Sequence, residues 1–94
     1  MAAYWITNIE VTDAESYGKY AKLAGPAIES FGGKFLVRGG KHKQLEGRDR
    51  ARNVLVEFPD IATAEACYNS PAYQEALSYA RNASIRDLVL VEGV

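Results

Sequence analysis

One histidine, His42, and one cysteine, Cys67, are the chain's whole supply of nitrogen and sulfur metal ligands. A structural zinc site needs four such ligands, so no metal is expected. A lone cysteine forms no internal disulfide, which fits a reducing cytoplasm. Charge of one sign is also missing: Lys and Arg number 11, Asp and Glu 12, and the formal net charge is −1. That balance draws the protein neither to nucleic acid nor to an anionic membrane. Apolar runs last a few residues, far short of the roughly 20 that a bilayer span needs. No basic segment followed by an apolar core opens the sequence, so no secretory signal is expected. No glycine loop precedes Lys-Ser/Thr at nucleotide-binding spacing, and no cofactor is expected.

What is present belongs to a packed globule. Hydrophobic residues make up 48% of the chain, too many for disorder. Residues 1–94 are expected to form one domain. A domain this small buries only about two-thirds of the surface its unfolded chain exposes, so added burial by self-association is favoured.

Hydrophobic period sets the element order. Residues 4–11 are rich in aromatic and β-branched side chains and read as a strand, with Tyr4 and Ile6 on one face and Trp5, Ile9 and Val11 on the other. Thr12 and Glu15 form a capping box for a helix whose stripe is Tyr17, Tyr20, Ala24, Ile28 and Phe31. Pro26 predicts a kink or break in it, and Gly32 or Gly33 its left-handed end. A second strand starts at Lys34. Gly39-Gly40 is read as a bend in one long strand continuing through His42 to Glu46, with the hairpin at residues 47–50. Residues 53–58 form the third strand, with Val54, Val56 and Phe58 on one face and Leu55 and Glu57 on the other. Asp60 caps a second helix bearing Ile61, Ala64 and Tyr68, and Ser70-Pro71 restarts it with Tyr73, Leu77 and Ala80 inward. Residues 85–92 form the last strand, apolar on both faces.

The order βαββαβ predicts an α+β, ferredoxin-like fold: an antiparallel sheet with its helices on one face. The other face is left bare and apolar, which predicts a partner against it.

Several ordered segments carry a family resemblance. They are Tyr4-Trp5-Ile6, Gly32-Gly33-Lys34-Phe35-Leu36-Val37-Arg38-Gly39-Gly40, Leu45-Glu46-Gly47, Val56-Glu57-Phe58-Pro59, Tyr68-Asn69-Ser70-Pro71-Ala72-Tyr73-Gln74 and Val91-Glu92-Gly93. Together they resemble the bacterial domain of unknown function 1330 (DUF1330), within the dimeric α+β barrel superfamily. The resemblance implies a homodimer whose two sheets pack face to face. It implies no activity, because the superfamily includes cofactor-free monooxygenases, small isomerases, haem-binding members and proteins without known chemistry.

The candidate site residues admit competing readings. Arg38, beside Gly39 and Gly40, suits a carboxylate or enolate approaching the backbone; it equally suits an ion pair with Glu57. Glu57, mid-strand, is either a desolvated base or the partner of Arg38 or Arg81. Trp5, Tyr17 and Tyr20 either line a pocket for a flat ligand or fill the core. His42, between Lys41 and Lys43, is a base or haem ligand in one reading and a surface side chain in the other. Cys67 reads as a buried small hydrophobe. Arg48, Arg50 and Arg52 read as a solvated basic loop. The sequence lacks the aromatic pattern of an RNA-binding sheet.

Three functions follow. The first is binding of a small anionic or aromatic metabolite between sheet and helices, through Arg38, Trp5, Tyr17 and Tyr20. The second is cofactor-independent catalysis with Glu57 or His42 as base and Arg38 stabilising an enolate. The third is a structural dimer module without a site.

Overall fold

The aromatic and β-branched opening segment forms β1 (Ala3–Val11), the strand on which the sheet is built. A computed structural model, which describes all of residues 1–94, continues with α1 (Ala14–Ser30), β2 (Lys34–Arg38), β3 (Arg52–Phe58), α2 (Ile61–Asn69), α3 (Pro71–Ala80) and β4 (Ser84–Glu92). The strands form one sheet in the order β2-β3-β1-β4, with every pair antiparallel. This is the ferredoxin-like arrangement expected, its second helix split at Ser70-Pro71. Alternation sends Ala3, Trp5, Thr7 and Ile9 of β1 to the buried helix side and Ile6 to the open side.

Trp5 is the centre of the core. Its ring lies 4.9 Å from Phe58 and 5.0 Å from Tyr73, centroid to centroid, in tilted or edge-on contact. Such pairs contribute about 0.5–1.5 kcal/mol each beyond simple burial. Small residues (Ala24, Ala27, Ala64, Ala76 and Ala80) let the helices settle against this aromatic block.

Local chemistry sets the element ends, and it corrects several expectations. The cap of α1 is Asp13 rather than Thr12. Thr12 and Asp13 both donate their backbone N–H to Ala83 O, at 2.8 and 3.1 Å; Asp13 is the extended residue before the helix, and its carboxylate accepts from Ser16 N at 3.3 Å. Pro26 does not break α1. It is exposed, and so is Lys22, whose carbonyl loses its donor. Asp60 and Ser70 cap α2 and α3 as expected, accepting from Thr63 N and Tyr73 N. The hydrogen bond from Thr63 holds the Asp60 carboxyl below its usual range. Ile61 is exposed rather than on an apolar helix face.

The second strand is much shorter than its hydrophobic pattern suggests. It stops at Arg38, and the long bent strand through His42 to Glu46 does not form. Gly39 turns the chain away at φ 70°, β3 begins only at Arg52, and residues 40–51 therefore have no strand to pair with. The whole of residues 39–51 is the connection.

Gly32 ends α1. At φ 79° it donates to Glu29 O while Gly33 donates to Ile28 O, each at 3.0 Å, the paired bonds of a left-handed helix end. Gly32→Ala is expected to cost about 1–2 kcal/mol, since a Cβ disfavours that backbone region. Urea unfolding checks it; an unchanged midpoint would show that the turn relaxes freely.

Candidate functional site

Strand register decides which polar side chains reach the helix side of the sheet. Ile9 pairs with Arg52 on β3 and with Arg86 on β4, so both arginines share the buried face of Ile9. Arg38 joins them by a different route. The pairing of β2 with β3 slips between Phe35 and Val37, so that Phe35 faces Val56 and Arg38 faces Val54. Leu36 is the extra residue, and the bulge flips strand parity. Phe35 and Arg38, three apart, thus share the helix side, and the Arg38 guanidinium stacks 4.0 Å over the Phe35 ring.

Two glycines make room for these heads. A Cβ on Gly25 of α1 would stand 3.2 Å from Arg38 Nη2, and a Cβ on Gly39 would collide with Arg52 Nη1. Gly39 therefore accommodates a protein side chain, not the ligand approach its sequence suggests. Gly40 has open space around it.

The three arginines line one cleft between the sheet and α1, together with Trp5, Thr7, Tyr17 and Tyr20. Its cavity volume is about 40 Å³. That holds roughly three waters, or one small oxyanion, and not a polycyclic ring system. Arg38 is at the exposed mouth, whereas Arg52 and Arg86 are half-buried.

Nothing acidic balances these charges. No Asp, Glu or His lines the cleft. The ion pairs of the chain are His42–Asp49 and Arg50 with Glu10 and Asp87, so Arg38, Arg52 and Arg86 have no carboxylate partner. Arg86 Nη2 instead donates to Tyr20 Oη at 3.1 Å and Tyr73 Oη at 3.4 Å, and these hydroxyls are 2.8 Å apart. Burial pulls the Arg86 pKa down, but Tyr20 and Tyr73 outweigh it and hold the guanidinium above its ordinary value. Burial pushes Tyr20 up strongly, reinforced by Tyr73 and opposed by Arg86. Tyr17 also rises through burial, against Arg86 and Arg52. Three side chains that line the cleft each carry a buried nitrogen without a partner in the protein: Trp5 Nε1, Arg52 Nε and Arg86 Nε.

The structure brings together Arg38, Trp5, Tyr17 and Tyr20 and leaves out Glu57 and His42. Glu57 pairs in register with Tyr4 and accepts from its hydroxyl at 3.2 Å, on the open face of the sheet. That bond, with some help from burial, raises the Tyr4 pKa. The expected ion pairs of Glu57 with Arg38 or Arg81 do not form: the bulge puts Arg38 on the opposite face, and Arg81 donates to Gln74 Oε1. His42 is on the exposed loop, 3.0 Å from Asp49. Neither Glu57 nor His42 lines this cleft. Cys67 is fully buried against Ala27 O, and burial pushes its thiol up to about 11.

Arg50 and Arg52 correct the reading of a solvated basic loop. Arg50 is only 6% exposed, with its head 3.7 Å from Glu10 and 3.5 Å from Asp87. Arg52 begins β3 and Arg86 belongs to β4; both escaped the sequence reading as site residues. Their signal was there, since Arg52 shares parity with Val54, Val56 and Phe58, and Arg86 with Leu88 and Leu90.

Comparison with known proteins places the chain. The family profile described as Domain of unknown function (DUF1330) matches residues 2–94. No curated protein matches. Among solved structures, the chain is similar to the RPA0582 protein of unknown function from Rhodopseudomonas palustris, with TM-score 0.80 and 21% identity over 99% of this chain and 82% of that one. It is similar to a dimeric ferredoxin-like protein of unknown function from Jannaschia sp. CCS1, with TM-score 0.77 and 14% identity over 99% and 100% of the two chains. SnoaB, a cofactor-independent oxygenase from Streptomyces nogalater, aligns at TM-score 0.57 and 12% identity over 99% and 93%. At these identities the likeness is one of fold.

The buried phenols generate a pH dependence. A phenol whose folded pKa is raised contributes stability that is full below the ordinary phenol value of about 10 and is lost as pH climbs towards the folded value. Stability is therefore expected to fall on going from about pH 9 to about pH 11, and Tyr20→Phe to make that slope shallower by up to about 1.4 kcal/mol per pH unit. Urea unfolding across the range is the check. Equal slopes in the two proteins would mean that Tyr20 ionises normally.

Proposed function

We infer the function from the cleft, because the chain belongs to the DUF1330 family, whose description names no reaction. The reading is that the protein binds a small anionic metabolite between sheet and helices, and does so as a homodimer. One observation carries the binding: three guanidinium groups line a cleft that contains no carboxylate. Half-buried like charges without a counter-ion repel one another, and an anion relieves that repulsion and gains charge-assisted hydrogen bonds at once. Trp5 forms the floor, Tyr17 and Tyr20 the wall on α1, and Arg38 meets the ligand at the mouth. The volume favours an anion over an extended aromatic. Cofactor-independent oxygenation, the description of the Streptomyces nogalater protein, finds no carboxylate or imidazole among the cleft's side chains to serve as base.

The open sheet face supports the homodimer. Ile6, Val37, Ile85, Val89 and Val91 are exposed there, with Val89 at 53%, and Leu55 lies among them. An apolar face of this kind is expensive to leave in water. The Jannaschia neighbour is described as dimeric, and its fold covers the whole chain.

Calorimetric titration of the purified protein with benzoate and acetate at low ionic strength tests the binding. Heats of binding are expected with the parent and a loss of at least about tenfold in affinity with Arg52→Met. Absence of binding to any small anion would remove the reading. Sedimentation tests the assembly separately. A species of twice the 10.3 kDa chain mass is expected at micromolar concentration, shifting to monomer on Val89→Lys. A monomeric parent would sink the homodimer.

A further inference from the structure

The same chain treats its deep arginines in two ways. Arg50, 6% exposed, is neutralised by Glu10 and Asp87. Arg52, Arg86 and Arg38 face a cleft with no acid in it. The contrast is not a shortage of carboxylates, since Asp and Glu outnumber Lys and Arg by 12 to 11. The cleft charges are left for something outside the chain.

We propose that the ligand of this cleft is a compact anion carrying two negative charges, a short dicarboxylate or a tetrahedral oxyanion, held by Arg52 and Arg86 with Arg38 at the mouth. The proposal rests on the anion-binding reading above and names its ligand class. A monoanion would leave two guanidinium charges unbalanced, at least one of them half-buried. A dianion balances both half-buried heads and leaves the surplus on Arg38, which is exposed and solvated. Four buried side-chain nitrogens have no partner in the protein, and three belong to residues that line the cleft: Trp5 Nε1, Arg52 Nε and Arg86 Nε. These atoms are shut off from the free space of the cleft, so the anion meets the terminal nitrogens of the arginines rather than them. Nothing charged in the lining offers an acceptor, so a zwitterion or a cation gains nothing there. The cleft is small, at about 40 Å³. Gly25 and Gly39 keep the Arg38 and Arg52 heads in place by presenting no Cβ, which preserves the arrangement without spending a carboxylate on it.

The test compares ligands of one skeleton and different charge. The full chain is titrated calorimetrically with malonate, with monomethyl malonate and with sulfate, at fixed low ionic strength. Malonate or sulfate is expected to bind at least about tenfold more tightly than monomethyl malonate, and the better of the two tells carboxylate from tetrahedral oxyanion. In Arg52→Met the dianion preference is expected to shrink towards parity. Arg38→Met, at the exposed mouth, serves as the second variant should Arg52→Met misfold by circular dichroism: its dianion preference is expected to persist, because Arg52 and Arg86 still need both charges, and parity there would count against the proposal. Equal affinity for malonate and its monoester, with sulfate no tighter, would overturn the dianion class while leaving small-anion binding intact. No binding of any of the three, nor of benzoate or acetate, would remove both.

Discussion

Hydrogen-bonded register of β1 against its two neighbours is the constraint on which the rest of this molecule depends. β1 pairs with β4 along its whole length and with β3 from Ala3 to Ile9, so each of residues 3–9 has a fixed companion on either side. Side chains in a sheet have only two directions to choose from. Once Trp5 is committed to the core, Thr7 and Ile9 follow it inward, and their companions Val54, Leu88, Arg52 and Arg86 follow them. Slipping the register by one residue would send Arg52 and Arg86 to the open face and Asn53 and Asp87 inward. The hydrophobic effect that buries Trp5 therefore also sets where the positive charge goes.

Electrostatics explains why that charge is tolerated. A buried guanidinium is costly unless paired, and the fold meets the cost differently on its two sides. Glu10 and Asp87 come from the open face and neutralise Arg50, which pins the end of the 39–51 connection to the sheet. On the helix side the offset is partial. Phenol oxygens of Tyr20 and Tyr73 accept from Arg86, and the Phe35 ring lies under Arg38. Neutral acceptors and π faces satisfy geometry without cancelling charge. The cleft is thus assembled with its potential intact.

Much of this was legible in the sequence, and the failures have specific causes. Strand and helix order, the caps at Asp60 and Ser70, the inward stripe of Tyr17, Tyr20, Ala24 and Ile28 and the apolar open face all follow from period and capping chemistry. Arg52 and Arg86 were legible by parity but hidden by their surroundings, one in a run of loop-like charges and the other ahead of an apolar run. Arg38 was recognised as notable, yet its face was not derivable, because a bulge reverses parity and no local residue pattern announces one. Thr12 and Asp13 are both good capping residues, and the capping-box pattern alone does not tell which of two neighbours starts the helix; Asp13 does. The expected Arg38–Glu57 pair is absent because the bulge in β2 carries Arg38 to the helix side while Glu57 lies on the open face.

Trp5 is the chain's one tryptophan, and it lies under the cleft with its indole nitrogen unengaged. A charge placed in the cleft beside this ring would change the polarity felt by the excited indole. The six tyrosines can be set aside by exciting at the red edge of the absorption band. Binding of an anion in the cleft, as proposed, would thus be read from this one indole, free of labels and free of competing indoles. An unknown ligand can be sought in crude metabolite fractions by emission alone, before any assay for a reaction exists.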